Sequence, residues 1–218
     1  KTANGFRANP QGWWLRDKSE VLTRKTRLDW IISENWNQQE ISQRGKINDF
    51  ILRKKILLVG AGCVGASIAE ILVRSGVYSL TIIDSDIFEV GNLSRHVLNV
   101  DDIGGLKGLS LCNYLNSLNP HANIEVINNA LTIDGELKTN IDLDKYGIII
   151  DCTGENSVLD IIQSNNFKKR HIFASVSVGL GAKRLYITLM NNQTFDFKAF
   201  FDLIAPYLQS ERVLYNDY

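Results

Sequence analysis

Two hydrophobic patterns alternate along this chain. Short apolar runs close on small or acidic residues at 54–60 (KKILLVG), 78–84 (YSLTIID), 146–152 (YGIIIDC) and 172–178 (IFASVSV). Runs apolar at every position predict strands covered on both faces, as in a parallel sheet. Longer segments repeat at helical spacing. Residues 61–76 (AGCVGASIAEILVRSG) are rich in Ala and Ile, lack proline and end on Gly76, which predicts a helix. Residues 107–118 place Leu109, Leu111, Leu115 and Leu118 on a helical period that stops before Pro120, and 156–165 predict another helix. The runs at 123–128 and 184–190 alternate, the second as an edge strand. Ile41, Ile47, Phe50 and Ile51 recur at helical spacing between Asn37 and Arg53. Residues 197–209 are amphipathic and predict a helix interrupted near Pro206. Residues 1–30, with Trp13, Trp14 and Trp30, assign no element.

Strand, helix and strand across 54–84 form a βαβ unit, because parallel neighbours need a crossover. The whole reads as an α/β fold. It is a Rossmann-like, mostly parallel sheet with helices on both faces and some antiparallel strands at the C-terminal edge. Three blocks follow: an N-terminal extension with a helix (1–53), a nucleotide-binding domain (54–190) and a C-terminal helical tail (191–218).

Composition narrows the function classes. Lys plus Arg and Asp plus Glu each number 24 in 218 residues, giving a formal net charge of zero. That argues against a broad basic nucleic-acid face, though not against a local anion site. Cys63, Cys112 and Cys152 are odd in number and far apart, so neither a disulfide framework nor a zinc site is expected. No apolar run reaches the ~18 residues of a membrane span, and no signal peptide opens the chain, so a cytoplasmic protein is expected. The chain begins at Lys1 rather than Met, as a processed chain or an excerpt of a larger protein would.

Gly60, Gly62 and Gly65 form GxGxxG between a predicted strand and helix. The first glycine allows the turn, the second lets a phosphate approach the backbone, and the third allows close packing. The helix N-terminus attracts the anion. Asp84 ends the next strand, 19 residues after Gly65, where a carboxylate accepts ribose hydroxyls. The competing reading is a packing turn with Asp84 as a strand-end cap. Beyond Asp84, the stretch 84–108 (DSDIFEVGNLSRHVLNVDDIGGLKG) carries an amide, a guanidinium and an ammonium, Asn92, Arg95 and Lys107. These are polyphosphate-binding groups, although a lone surface cation is often only solvated. A proton-transfer constellation of the kind an NAD-dependent oxidoreductase needs is absent.

Residues 59–108, with NSLNP (116–120) and IIIDCTG (148–154), resemble the ThiF/MoeB superfamily of adenylating enzymes, which includes the ubiquitin-activating enzymes. The resemblance spans about 54–190, and the RH after NLS resembles bacterial members. It implies that the C-terminal carboxylate of a small ubiquitin-like or sulfur-carrier protein attacks the α-phosphate of Mg-ATP. The products would be an acyl adenylate and pyrophosphate. A homodimer and no nucleic-acid or membrane partner would be expected. By motif, Gly60, Gly62, Cys63 and Gly65 would line the nucleotide and Asp84 would hold the ribose. Asn92 and Arg95 would hold phosphates, and Arg95 and Lys107 would carry the catalysis. Asp86 matches the family's second acid, or else caps a turn. His96 orients its loop rather than acting as a base.

The match departs from the family in three places. Members place an Asp directly after the Thr of DCT to help hold Mg²⁺; this chain has Gly154. Asp151 or Glu155 would have to substitute, and Glu155 equally suits a helix N-terminus. Members often lend an upstream Arg across a dimer interface, where this chain has Trp36, with Arg27 and Arg44 nearby. No later cysteine offers a thioester, and Cys112 and Cys152 read as core residues. A second function class therefore stays open: a non-catalytic scaffold of the same fold that binds nucleotide or a ubiquitin-like partner. An NAD-dependent oxidoreductase rests on the glycine loop alone.

Overall fold

The computed structural model describes residues 9–21, 23–25, 27, 31–42, 45, 47–128, 132–133, 136–137 and 141–215. The chain divides into two compact units, 1–36 and 37–218. In the first, helix α1 (Pro10–Arg16) starts where the Asn9 side chain accepts the Gly12 N–H at 3.0 Å and proline occupies the first turn. A π-helical turn, Asp17–Val21, follows.

The second unit opens with two short helices, α2 (Gln38–Ser42) and α3 (Asp49–Leu52). The helical spacing read across 37–53 is thus split. Asn48 starts α3 afresh, its Oδ1 accepting the Phe50 N–H at 2.8 Å. Strand β1 (Ile56–Val59), helix α4 (Cys63–Arg74) and strand β2 (Ser79–Ile83) form the βαβ unit. Helix α5 (Lys107–Leu118) and strand β3 (Asn123–Ile127) come next, then the two-residue strands β4 (Thr132–Ile133) and β5 (Glu136–Leu137). Strand β6 (Ile148–Asp151), helix α6 (Asn156–Ser164), strands β7 (His171–Val178) and β8 (Leu185–Asn192), and helix α7 (Phe197–Tyr215) complete it.

The main sheet has the order β3-β2-β1-β6-β7-β8, parallel except where β8 runs antiparallel to β7 at the edge. The expected α/β class, with its antiparallel C-terminal edge, is what folds. The order reverses between β1 and β6, the switch point at which open α/β sheets leave a crevice beyond the strand ends. Ile56 and Leu58 pack with α4 and α5, through Ala66, Ala69, Val73, Leu111 and Leu115. Leu57 and Val59 turn to the opposite face, with α6, Phe167 and Phe173. Both faces are covered, which is why β1 and β6 are apolar without alternation. Helix α7 runs unbroken through Pro206, against the expected interruption. The proline removes one N–H, and the rest of the helical hydrogen bonds carry the helix past it.

Candidate functional site

The site is built where β1, β2 and β6 end side by side. The Gly60 N–H donates to the Ile83 carbonyl at 2.9 Å, and the Cys152 N–H to the Val59 carbonyl at 2.8 Å, so the loops after all three strands are laced together. Each glycine has its own physical task. Gly60 has φ +90°, and a Cβ there would lie 3.0 Å from Thr153 Cγ2. A Cβ on Gly65 would lie within 2.0 Å of the Gly60 carbonyl oxygen, so only glycine lets α4 approach β1 this closely. A Cβ on Gly62 would meet nothing within 4 Å. Gly62 is also the N-cap of α4 and offers no side-chain cap, so no capping side chain covers the first N–H groups of this 12-residue helix. Cys63 follows, half-buried.

Asp84 is 9% exposed, and its carboxylate is tied to two loops. Oδ2 accepts the Ala61 N–H at 2.6 Å and Oδ1 accepts the Asp86 N–H at 2.8 Å. Burial pushes its pKa above the usual carboxylate range, and the two N–H donors pull it back. Asp84 thus braces the glycine loop from below while closing the turn to Asp86.

The excursion 89–103 is fastened at its base. Phe88 N–H donates to Gly105 O, Gly104 N–H to Phe88 O, and Lys107 N–H to Asp86 O, each at 2.8 Å. This zipper brings Lys107 beside Asp86. The ammonium is 2.9 Å from Asp86 Oδ2; the Lys107 side chain is 9% exposed and that of Asp86 69%. The excursion is also tied to the glycine loop by His96. The Leu98 N–H donates to Nδ1 at 3.2 Å, so the ring proton is on Nε2, which donates to the Ala61 carbonyl at 2.7 Å. Burial lowers the His96 pKa, in keeping with a neutral ring. Arg95 is next to this anchor and exposed, and its guanidinium makes no hydrogen bond or ion pair among the described residues. Asn92 is partly committed elsewhere. Its Oδ1 accepts the Glu89 N–H at 2.9 Å in a reciprocal cap, which leaves its NH₂ group to act.

Past β6 the picture changes. Asp151 is 1% exposed, and its Oδ1 accepts both the N–H (3.1 Å) and the hydroxyl (2.7 Å) of Thr153. Its Oδ2 accepts the Ser175 hydroxyl at 2.9 Å. Burial raises its pKa, and it braces the loop beneath Gly60. Glu155 is exposed and starts α6, 3.5 Å from the Ser157 hydroxyl. Gly154 has φ +70°, and a Cβ there would meet only Ser177 Cβ, at 4.0 Å. No group of three or more His, Cys, Asp or Glu that would suit a metal ion occurs among the described residues. Asp151, sealed and spoken for, does not fit a direct Mg²⁺ ligand; Glu155 faces solvent. Burial pushes the Cys152 thiol up to about 12, leaving it inert. Arg44 lies outside the described residues.

The structure therefore gathers Gly60, Gly62, Cys63, Gly65, Asp84 and Asp86 with Lys107; Arg95 is exposed one residue before His96, which is tied to the glycine loop. Sequence reading missed Thr153 and Ser175 as partners of Asp151. The Thr153 contact was legible as an Asp-x-Thr turn, whereas Ser175 lies in an apolar strand 24 residues on with no local signal.

A family profile described as ThiF family matches residues 33–209. The ATP-dependent ubiquitin transferase-like protein Cap2 of Enterobacter hormaechei subsp. hoffmannii (strain UCI 50) is 33% identical over 191 residues, 88% of this chain and 32% of that protein. The adenylyltransferase and sulfurtransferase UBA4 of Candida albicans is 34% identical over 128 residues, 57% of this chain and 28% of that protein. Among solved structures, E. coli MccB with succinimide superposes with a TM-score of 0.56 at 19% identity, over 74% of this chain and 49% of that one. TcdA (CsdL) does so at 0.50 and 24%, over 60% and 50%. These two likenesses concern the fold. The chain spans about a third of the length of the two curated relatives.

Proposed function

The chain belongs to the ThiF family, and from that premise we propose that it adenylates the C-terminal carboxylate of a small ubiquitin-like or sulfur-carrier protein, using ATP. The observation that carries this reading is the Asp84 brace. One buried carboxylate fixes both the glycine loop and the turn that brings Lys107 to the mouth of the same crevice.

A polypeptide carboxylate has a pKa of ~3.5 and is ionised at neutral pH, so the attack needs no base. One carboxylate oxygen bonds to the α-phosphorus, the bond from that phosphorus to the bridging oxygen breaks, and pyrophosphate leaves with the electron pair. The barrier is the meeting of an anion with a polyanion, so the chain's work is alignment and charge neutralisation. Gly62 and the uncapped first turn of α4 receive phosphate oxygens, and Asp84, with Asp86 beside it, receives the ribose. Arg95 is free to swing onto phosphate. Lys107 supplies the positive charge: its ammonium turns from Asp86 to the phosphates, leaving the exposed Asp86 carboxylate to the ribose. Magnesium would ride on the nucleotide's own oxygens and water, and no step here is assigned to it. Homodimerisation is proposed from the outward row Leu185, Ile187 and Leu189 on β8, which are 55%, 62% and 71% exposed. Analytical ultracentrifugation tests it.

The test of function is carrier-dependent ATP–pyrophosphate exchange, with Lys107→Ala and Arg95→Ala each expected to lower it by about 10²–10³-fold. The second reading, a scaffold that binds nucleotide without turnover, draws on Gly154 and sealed Asp151. ATP binding without exchange in the presence of the true carrier would establish it instead.

A further inference from the structure

A cavity of about 280 Å³ opens beside Gly154, between the end of β7 and helix α7. It is walled by Val178, Leu180, Phe197, Phe200, Phe201 and Ile204. Arg212 is the one charged group in its lining, and it makes no hydrogen bond or ion pair among the described residues. Gly154 leaves the near side open, since a side chain there would begin to fill the mouth. The cavity lies next to the loop after β6: Ser175 in its lining donates to Asp151 at 2.9 Å, and Thr153, beside Gly154, packs against Gly60.

The roof is held down. Glu211 of α7, 2% exposed, accepts the Leu180 N–H at 3.0 Å, Arg184 at 3.1 Å and the Tyr186 hydroxyl at 3.1 Å. A Cβ on Gly179 would lie 2.5 Å from Glu211 Oε2, so the turn after β7 closes tightly on this carboxylate. The cavity is thus a formed space under a pinned helix. Its volume is at the lower end of the ~300–1,000 Å³ range of ligand pockets. It suits one or two apolar side chains.

Resting on the adenylation reading, we propose that this cavity receives a bulky aliphatic or aromatic side chain of the polypeptide whose C-terminus is activated, a few residues before its carboxylate. The anchor would set the tail's register, so that the terminal carboxylate, and no later or earlier group, reaches the nucleotide. Specificity would then lie in the tail's apolar residue as well as in its folded domain.

The probes are fluorescein-labelled heptapeptides with a free C-terminal carboxylate: all-glycine, or glycine with a single Leu or Phe at each of the five positions before the last. Anisotropy with the whole chain measures their binding, and ATP binding is followed separately by calorimetry. At least one Leu or Phe position should bind about 10–100-fold tighter than all-glycine, the worth of burying one such side chain. Filling the cavity with Ser177→Leu, or charging it with Phe201→Asp, should each erase that preference and leave ATP binding unchanged. The proposal is overturned if no position is preferred, if the preference survives both variants, or if every peptide binds more weakly than ~1 mM. Loss of ATP binding in the unaltered chain would instead count against the adenylation reading, which keeps the two failures apart.

Discussion

The two sides of the crevice do their work with different material. On the β1–β2 side nearly every important contact involves backbone. Asp84 holds two main-chain N–H groups, His96 holds a main-chain carbonyl, and the segments 86–88 and 104–107 zip through N–H and C=O groups. On the β6–β7–α7 side, contacts to the backbone N–H groups of Thr153 and Leu180 are joined by side-chain pairs from distant segments: Asp151 to Ser175, Glu211 to Arg184 and Tyr186. The first side, on the proposed reading, would cradle phosphate and sugar, which every nucleotide shares. The second gives a shaped apolar space, the one proposed to tell one polypeptide tail from another.

Substitutions can break this contrast, the harshest coming on the cradle side. Gly65→Ala places a Cβ within 2.0 Å of a backbone oxygen, and overpacking of this kind should cost about 3 kcal/mol in urea unfolding. Glu211→Ala leaves the Leu180 N–H and Tyr186 hydroxyl without their acceptor. It should cost about 2 kcal/mol and raise amide exchange along α7 while sparing α4. Its Arg184 contact adds little, because that side chain is 42% exposed. Gly154→Ala meets open space and only the left-handed backbone, so it should cost about 1–2 kcal/mol, less than Gly65→Ala. The reverse order would mean that the two loops are not built as described.

The smallest effect is in pH. Burial lowers the His96 pKa in the folded chain, while in the unfolded chain it titrates near ~6.5. The folded state binds fewer protons, so its advantage is present above that value and is lost as pH falls through the folded pKa. Urea midpoints of the unaltered chain should therefore decline between pH 7.5 and 5.5, and those of His96→Asn should decline less.

The same contrast explains what the sequence made legible. Gly60, Gly62, Gly65 and Asp84 could be read because backbone geometry leaves a local trace: a turn needs glycine, and a strand end needs its acid at a set distance. The continuous apolar runs of β1 and β6 gave the parallel sheet for the same reason. Arg95 and Lys107 stand out in the sequence by type and order, but the ties of their segment to the crevice, His96 to Ala61 and Lys107 to Asp86, are tertiary. Ser175 and Glu211 left no trace, since their contacts join residues 24 to 31 apart, and the cavity is lined from still more distant segments that meet only after the sheet is closed. The unbroken α7 shows the converse, a local breaker overruled by its neighbours.

The central claim is that the crevice between β1, β2 and β6 is a polyphosphate site closed by Arg95 and Lys107. The most direct measurement is calorimetric titration of the chain and of its Arg95→Ala and Lys107→Ala variants with ATP, alongside NADH. Saturable ATP binding, weakened about 10-fold or more in each variant and accompanied by no NADH binding, is the predicted result. Equal ATP affinity in all three proteins, or NADH bound more tightly than ATP, would contradict it.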